Sequence, residues 1–228
     1  MTCRSLPAEP AIRVKICGLK TPETVAAAVD AGAVYLGFVL FPPSPRAITL
    51  EKLKALAADV PAGIARVALV VDPDAALIDA LAGAPLDMVQ LHGQESPALV
   101  QDVKKATGLP VMKAFGVRDA GDLDRIAEYA AVCDQLLIDA KPPRDASRPG
   151  GLGLSFDWDL LRGRRWPLPW MLAGGLTPDN VARAIHVTGA RQLDVSSSVE
   201  SAPGIKDPAR IAAFMDAVSH VSSAPRLV

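Results

Sequence analysis

Five side chains able to take part in acid–base or ionic chemistry each lie at, or shortly after, the end of a short apolar run. They comprise a thiol, a guanidinium, an imidazole and two carboxylates: Cys17, Arg46, His92, Asp139 and Asp194. Such a set contains both an acid and a base, together with groups that bind anions. If one fold gathers these run ends on a single face, the set indicates a site for proton transfer on a small anionic substrate.

Each of these residues also has a structural interpretation. A cysteine at a strand end is commonly a small buried apolar residue. Asp139 is also suited to capping a loop, His92 to a satisfied structural role, and Arg46, in a proline-rich loop, to solvent exposure. For Lys15 and Lys113 we favour a structural role, lining the mouth of the fold or pairing with a carboxylate. Only their joint placement would favour function.

Three segments of small residues are candidates for binding an anion. They are Gly150–Gly153, Ala173–Gly175 and Ser196–Ser198. Such segments let backbone N–H groups approach a phosphate, and helix N-termini add favourable charge. The alternative is that each glycine only forms a tight turn. We predict that these segments together form a phosphate site.

Eight short runs rich in Val, Ile and Leu would position these residues. They read as parallel strands buried on both faces, because they do not alternate with polar residues. We predict strands at Arg13–Cys17, Tyr35–Leu40, Arg66–Val71, Met88–Leu91, Val111–Phe115, Gln135–Ile138, Trp170–Ala173 and Gln192–Val195.

The segments between the strands carry helix signals. Thr21 and Thr177 each stand before a proline, as a helix cap before the first helical position does. Asp72-Pro73-Asp74 and Glu95-Ser96-Pro97 look like two more helix starts, and Gly32 and Gly108 like two helix ends.

Alternating strands and helices allow a closed barrel or an open doubly wound sheet. The strand count, the length of 228 residues and the lack of a nucleotide fingerprint after the first strand favour a single (β/α)8 barrel. We expect the barrel at 13–221, a loose extension at 1–12 and a tail at 222–228. The carboxyl ends of the strands, where such barrels place their active sites, would then carry the five side chains.

Composition narrows the possible partners. The formal net charge of −1 argues against bulk electrostatic binding of nucleic acid. Three distant cysteines form neither a disulfide framework nor a CxxC zinc motif. No apolar run reaches membrane-spanning length and the start lacks a signal core, so we expect a cytoplasmic protein that does not bind membranes.

The sequence resembles the phosphoribosylanthranilate isomerase family along nearly its whole length. The matching segments, in order, are KICG at 15–18, LGFVLFPPSPRAI at 36–48, VQLHG at 89–93, LIDA at 137–140, GGLGLSFDW at 150–158, LAGGLTPDNV at 172–181 and DVSSSVESAPGIKD at 194–207. Their order and spacing are specific to this family, whereas a single segment such as LAGGL is not.

The resemblance implies an Amadori rearrangement in tryptophan biosynthesis, in which N-(5-phosphoribosyl)anthranilate becomes 1-(2-carboxyphenylamino)-1-deoxyribulose 5-phosphate. By resemblance, Cys17 is the general base at C2 of the ribose and Asp139 the general acid at the ring oxygen. Arg46 is similar to the arginine that faces the anthranilate carboxylate, and His92 and Asp194 match polar positions lining the site. The resemblance also implies that the backbone around Gly153, Gly174, Gly175, Ser196 and Ser197 holds the phosphate. The partner is thus a small phosphorylated sugar, and the protein a monomer or homodimer.

The residue types suit this chemistry without a metal or organic cofactor, since an acid and a base on opposite sides of the sugar suffice. A thiol needs help to lower its pKa before it can act as a base. Lys15 shares a strand face with Cys17, because alternate residues point the same way, and we hypothesise that it provides this help.

Two positions depart from the family pattern. Ser198 stands where members often carry glycine, and Leu152 where they usually carry Ser or Thr. Ser198 would be strained if that position needed a positive φ, unless the loop has shifted. Leu152 removes a hydroxyl that could contact the phosphate. Both changes bear on phosphate affinity more than on reaction type.

Three other kinds of phosphate-binding barrel are alternatives. The related histidine-pathway isomerase uses an aspartate base on its first strand, where this chain has Cys17. Indole-glycerol-phosphate synthase relies on lysine and glutamate chemistry and a longer N-terminal helix. A non-catalytic barrel that keeps only the phosphate site is a third possibility, and such a protein would not need both Cys17 and Asp139. We also expect the loop 141–149 to close near the site.

Overall fold

Eight parallel strands close into a barrel in a computed structural model that describes residues 12–140 and 158–223. The strands are hydrogen-bonded in chain order, and the eighth pairs with the first. Their bounds are β1 Arg13–Cys17, β2 Tyr35–Val39, β3 Ala65–Val70, β4 Met88–Leu91, β5 Val111–Val117, β6 Gln135–Ala140, β7 Trp170–Ala173 and β8 Gln192–Val195. The closed barrel is therefore confirmed over the open sheet, and no predicted strand end is more than two residues from the observed one.

Helices follow most of the strands and cover the barrel. Their bounds are α1 Pro22–Asp30, α2 Leu50–Ala58, α3 Ala75–Ala82, α4 Pro97–Thr107, α5 Ile126–Tyr129, α6 Val181–Thr188 and α7 Pro208–Ser223. No helix in the described ranges is long and apolar enough to cross a membrane. The segments predicted at 1–12 and 222–228 fall mostly outside the described residues, and the loop 141–149 falls wholly outside them.

Side chains alternate between the barrel interior and the layer beneath the helices. Residues such as Leu36 and Phe38 belong to the large core between strands and helices. Val67, Met112 and Met171 belong to a separate cluster inside the barrel. The barrel is thus a packed core, and polar residues inside it occupy space that apolar side chains could fill.

Most of the helix starts follow the predicted chemistry. Thr21 and Ser96 each accept a hydrogen bond from a backbone N–H three residues on, with proline at the first helical position. Asp74, rather than Asp72, caps α3 through Leu77 N–H. Each cap satisfies an amide group that the helix leaves unbonded.

The predicted start at Thr177 is wrong. The helix α6 begins at Val181, with Asn180 preceding it and no side-chain cap. Asn180 Oδ1 instead accepts from Thr177 N–H at 2.8 Å, and its Nδ2 donates to Gly175 O at 2.8 Å. A side-chain amide that bonds the local backbone competes with helix formation, so this segment forms a turn.

The chain adds a small hairpin after β8 that the strand pattern did not predict. Its strands are β9 Glu200–Ala202 and β10 Ile205–Lys206, paired antiparallel. Gly204 closes it with φ +79, and a Cβ there would lie 2.2 Å from Pro45 O. The hairpin therefore packs directly against the loop that carries Arg46.

Candidate active site

The interior of β1 and β8 holds a buried ion pair at the carboxyl end of the barrel. Lys15 and Asp194 are register partners on these neighbouring strands, and Lys15 Nζ donates to Asp194 Oδ1 at 2.9 Å. Lys15 is fully buried, and Asp194 is 8% exposed. Burial alone would lower the pKa of Lys15, but the charges of Asp194 and Cys17 and hydrogen bonds to both raise it above its usual value. Lys15 is therefore a cation, and the predicted pairing of this lysine with a carboxylate is confirmed.

Cys17 lies two residues beyond Lys15 on the same inward face, as predicted. Its thiol is buried, and desolvation raises its pKa, while the positive charge of Lys15 and a hydrogen bond from it act to lower that pKa. Space for the two groups comes from Gly37 on β2. A Cβ at that position would lie 3.0 Å from both Cys17 Sγ and Lys15 Nζ.

His92 and Asp139 meet at the ends of β4 and β6. His92 Nε2 lies 3.5 Å from Asp139 Oδ2, with the histidine half-buried and the carboxylate largely buried. The other ring nitrogen, His92 Nδ1, lies 2.9 Å from Gln90 Nε2. Gln90 is fully buried, and sequence reasoning did not single it out. Its position two residues before His92, on the same strand face, is the signal that was available.

Arg46 is held by a residue that sequence reasoning also missed. Its Nε and Nη2 donate to the two carboxylate oxygens of Glu200, each at 2.7 Å. Gly18, with φ +87, makes the approach possible, because a Cβ there would lie 2.7 Å from Arg46 Cδ. Arg46 is thus held as a fixed bidentate donor rather than a solvated side chain.

A second buried cation completes this cluster. Lys206 Nζ lies 2.5 Å from Glu200 Oε1 and 3.2 Å from both the carbonyl and the hydroxyl oxygen of Ser196. Burial lowers the pKa of Lys206, although Glu200 opposes that shift. Desolvation would raise the pKa of Glu200, but hydrogen bonds from Arg46 and Lys206 hold it below its usual value. Glu200 and Lys206, which sequence reasoning missed, lie in the segment DVSSSVESAPGIKD, one on each side of the hairpin turn.

The small-residue loops after β7 and β8 lie at the same end of the barrel. Gly174 and Gly175 have φ +93 and +63, values that side chains rarely adopt. Ser196 Oγ donates to Cys17 O at 2.9 Å, which ties the loop after β8 to the end of β1. Ser197 is exposed. Gly153 and Leu152 lie outside the described residues.

Ser198 is not strained in the way the family pattern suggested. It lies in a single turn of 3-10 helix, Ser197–Val199. Asp72 is the one residue other than glycine with positive φ in the described ranges. The buried Ser198 Oγ has no hydrogen-bond partner among those residues.

Lys113 takes a structural position. Its Nζ lies 2.9 Å from Glu95 Oε2 and donates to Gly93 O at 2.9 Å. This confirms the predicted pairing with a carboxylate. A pocket of about 260 Å³ opens beside it, lined also by His92, Asp139 and two arginines that the sequence did not single out, Arg118 and Arg125. In the ranges 12–140 and 158–223, no group of His, Cys, Asp and Glu could hold a metal ion.

Comparison with known proteins identifies the family that this chain is similar to. Residues 14–217 match the family model described as N-(5'phosphoribosyl)anthranilate (PRA) isomerase. The chain is 61% identical over 206 residues to the N-(5'-phosphoribosyl)anthranilate isomerase of Paracoccus denitrificans, which covers 90% of this chain and 96% of that protein.

Solved structures give the same result. The phosphoribosyl anthranilate isomerase of Thermotoga maritima is similar with a TM-score of 0.82 and 35% identity, over 92% of this chain and 99% of that one. A phosphoribosyl anthranilate isomerase in complex with reduced 1-(o-carboxyphenylamino)-1-deoxyribulose 5-phosphate gives a TM-score of 0.79 and 33% identity, with the same coverage. The family model and the relatives therefore show that the chain belongs to the N-(5'-phosphoribosyl)anthranilate isomerase family.

Proposed function

We propose that Cys17 is the general base and Asp139 the general acid of the isomerisation that defines this family. The reaction is the Amadori rearrangement of N-(5'-phosphoribosyl)anthranilate in tryptophan biosynthesis. The observation that carries the assignment is the position of the two groups, both inside the barrel at the carboxyl ends of β1 and β6. Two strands separate β6 from β1 in one direction and four in the other, so acid and base face the mouth from different sides.

The two groups account for the proton transfers that open the ring and form the enolamine. Asp139 gives its proton to the furanose ring oxygen as the C1–O bond breaks, and the anilino nitrogen forms a C=N bond with C1. The Cys17 thiolate then removes the proton from C2, and the electron pair of that C–H bond forms a C1–C2 double bond, giving an enolamine. Tautomerisation of the enolamine, in which the C2 hydroxyl loses its proton and C1 gains one, yields the ketose. Each step is a proton transfer of the kind that positioned side chains accelerate.

Lys15 allows the buried Cys17 to form a thiolate. Burial raises the pKa of Cys17, so the thiol by itself is a poor base at neutral pH. The ammonium group of Lys15 stabilises the negative charge that forms on sulfur. Asp194 opposes this effect on Cys17 but keeps Lys15 charged and in place.

Local groups bind the two anionic ends of the substrate, because the net charge of −1 provides no basic surface. Backbone N–H groups of the loops after β7 and β8, at Gly174, Gly175, Ser196 and Ser197, bind the phosphate, together with Gly153. The left-handed glycines and the convergence of the two loops support this. Arg46 binds the anthranilate carboxylate. Glu200 holds its Nε and Nη2, and we assign its Nη1 to the carboxylate. His92 and Asp194 line the site.

The proposal also covers the domain organisation and the cellular compartment of the protein. Residues 13–221 form one catalytic domain. Cys17 must remain a free thiol to act as a base, which favours a reducing compartment such as the cytoplasm.

Replacement of Cys17 by serine separates catalysis from the alternative of a non-catalytic binding barrel. We expect Cys17→Ser to abolish turnover while the reduced product analogue still binds with an affinity within about threefold of the unmodified protein, because only the base is lost. Titration calorimetry and steady-state kinetics measure the two quantities. Turnover near the unmodified rate would remove Cys17 from the mechanism. Loss of binding together with turnover would instead make Cys17 a structural residue.

A further inference from the structure

Gln90 occupies the barrel interior, where an apolar side chain would cost less. Its neighbours along β4, Val89 and Leu91, belong to the core beneath the helices, so Gln90 points the other way, into the barrel. Its register partner on β5 is Met112, a member of the apolar cluster inside the barrel. Gln90 is fully buried, and its Oε1 has no hydrogen-bond partner in the described parts of the chain. A buried carbonyl without a partner reduces stability relative to one that is satisfied.

The hydrogen bond that the structure records for this side chain runs to His92. Gln90 Nε2 and His92 Nδ1 are 2.9 Å apart, and His92 Nε2 is 3.5 Å from Asp139 Oδ2. The three side chains therefore form a row from the barrel interior to the carboxyl group at its mouth. Buried polar residues that reduce stability are commonly retained where they orient a functional group.

The direction of the first hydrogen bond determines which nitrogen of His92 carries the proton. A donor at Gln90 Nε2 requires a lone pair on His92 Nδ1, so the neutral ring is protonated at Nε2. Rotating the amide by half a turn would put its NH2 group at the position without partners. An unsatisfied buried N–H group is rarer and less favourable than an unsatisfied carbonyl. The recorded orientation is therefore the favoured one.

The tautomer of His92 decides whether it competes for the proton of Asp139. With a proton on Nε2, His92 presents an N–H group to Asp139 Oδ2, 3.5 Å away, and the acidic proton stays on Oδ1 for the substrate. When Asp139 has released its proton, the same N–H group stabilises the carboxylate. With a lone pair on Nε2, His92 would instead accept the acidic proton and draw it away from the ring oxygen.

We infer that Gln90 is a positioning residue for the acid step: its amide holds His92 in the Nε2–H tautomer, which directs the proton of Asp139 to the substrate. This inference rests on the proposed role of Asp139 as the general acid. Gln90 contacts neither the substrate nor Asp139 and acts only through His92.

The tautomer of His92 is measured in the unmodified protein. A long-range 15N–1H correlation spectrum distinguishes Nδ1–H from Nε2–H in neutral histidine, and the chain has three histidines to resolve. The His92→Gln variant identifies the His92 signals by their loss. We expect the Nε2–H pattern in the unmodified protein and a shift towards Nδ1–H in Gln90→Met. A proton on Nδ1 in the unmodified protein would overturn the inference.

Kinetics test the consequence, with a matched control in the same barrel. Gln135 is also a buried inward glutamine, but it lies at the start of β6 and donates to Gln192 Oε1 at 3.0 Å. We expect Gln90→Met to lower kcat about 10- to 100-fold with KM within about twofold, since general acid catalysis contributes about 10²- to 10⁴-fold in total. Gln135→Met should change both by less than about twofold at a similar loss of thermal stability. An unchanged kcat in Gln90→Met would overturn the inference.

A double substitution separates the failure of this inference from the failure of the proposed function. In an Asp139→Asn background no acidic proton remains, so adding Gln90→Met should lower kcat by less than about twofold more. A further loss as large as in the unmodified background would show that Gln90 acts elsewhere. Full turnover in Asp139→Asn alone would instead refute the acid assignment, while the spectrum would still report the tautomer.

Discussion

Two buried lysines bring positive charge close to Cys17, and they differ in how that charge is balanced. Desolvation would lower the pKa of Lys15, but the charges of Asp194 and Cys17 and the hydrogen bonds to both together raise it. Lys206 has a lowered pKa because its desolvation outweighs the attraction of Glu200. Lys15 is thus the more secure cation at neutral pH and the better candidate for stabilising a thiolate.

Replacing Lys15 by methionine should therefore weaken the base. The charge and hydrogen bond that lower the pKa of Cys17 would be lost, so its pKa would rise further. We expect kcat at neutral pH to fall about 10- to 100-fold and the rate to rise only at more alkaline pH. A pH–rate profile measures both effects.

Lys104→Met is the control, because Lys104 pairs with Asp134 on the surface at 2.7 Å. It should leave the profile unchanged. If Lys15→Met did the same, Lys15 would have no part in activating the thiol.

Glu200 should control substrate binding through Arg46. In Glu200→Gln the bidentate pair at 2.7 Å is lost, and Arg46 is no longer held towards the substrate. We expect KM to rise about 10-fold with kcat within about threefold, since binding in the ground state and in the transition state is lost together. Steady-state kinetics with substrate generated in situ gives both constants.

The matched control for Glu200→Gln is Asp87→Asn, which breaks a similar bidentate pair to Arg66 at the start of β3. Both variants should lose stability, but only Glu200→Gln should change KM. A KM within about twofold of the unmodified protein would contradict the role given to Arg46.

The sequence predicted the position of single residues better than their contacts. Cys17, His92, Asp139 and Asp194 were recognisable because each lies at or next to a strand end. Glu200 and Lys206 were not, because the hairpin that brings them to Arg46 has strands of three and two residues without alternation. Gln90 was not, because only the closed barrel shows that the space around it is otherwise apolar.

At the scale of elements, β1 and β2 can carry the Lys15–Cys17 pair only because β2 has a glycine opposite them. Gly37 is the register partner of Cys17, and its missing side chain leaves room for the sulfur and the ammonium group. Its φ is not in the left-handed region, so the constraint is space and not backbone conformation.

Gly37→Ala should consequently impair the site more than the fold. The new Cβ would lie 3.0 Å from Cys17 Sγ and Lys15 Nζ, so the two groups must shift. We expect a loss of about 1–3 kcal/mol in the free energy of unfolding and at least about a 10-fold fall in kcat. Denaturant titration and kinetics measure the two effects.

Gly83→Ala provides the comparison, since Gly83 follows α3 with φ −95 and no atom within 4 Å of its added Cβ. It should be neutral, or stabilising by about 0.4–1 kcal/mol. Equal activity in Gly37→Ala and Gly83→Ala would argue against the tight packing described here.

Strands were predictable from composition alone because both faces of a parallel barrel are buried. Helix starts were less so. Thr177-Pro178 resembles Thr21-Pro22, yet only Thr21 caps a helix, because Asn180 bonds back to the backbone of the turn after β7. The difference depends on the side chain of Asn180, three residues after Thr177, which the Thr-Pro motif does not include.

At the scale of the whole molecule, buried ion pairs make the stability of the fold depend on pH in the acid range. Glu95 is buried against Lys113. Desolvation would raise its pKa, but hydrogen bonds from Asp72 N–H and Lys113 hold it below the ordinary value of 4.5. A pKa lower in the folded than in the unfolded state stabilises above the unfolded value, and this stabilisation is lost as pH falls through the folded value.

Glu95→Gln should therefore reduce stability most near neutral pH. Lys113 would be left buried without its counterion, at a cost of about 3 kcal/mol. The free energy of unfolding should then fall less steeply than in the unmodified protein as pH drops below 4.5. Urea titrations across that range measure the slope.

Glu23→Gln, at an exposed position in the first turn of α1, should give a curve parallel to that of the unmodified protein. Parallel curves for Glu95→Gln as well would contradict the account of the pair.

The architecture as a whole followed from counting eight buried runs in a chain of 228 residues. Closure of the barrel then places the ends of β1, β4, β6 and β8 around one mouth, and it was the family resemblance that assigned chemistry to them. The pocket beside Arg118 and Arg125 depends on the path of the segment after β5, for which the sequence has no periodic signal.

The central claim is that this chain isomerises N-(5'-phosphoribosyl)anthranilate with Cys17 as base and Asp139 as acid. The direct measurement generates the substrate in situ and follows the loss of its anthranilate fluorescence, comparing the unmodified protein with Cys17→Ala and Asp139→Asn. We predict turnover by the unmodified protein and a fall of at least about 100-fold in each variant, with folding retained. Absence of turnover in the folded, unmodified protein, or its persistence in either variant, would contradict the account.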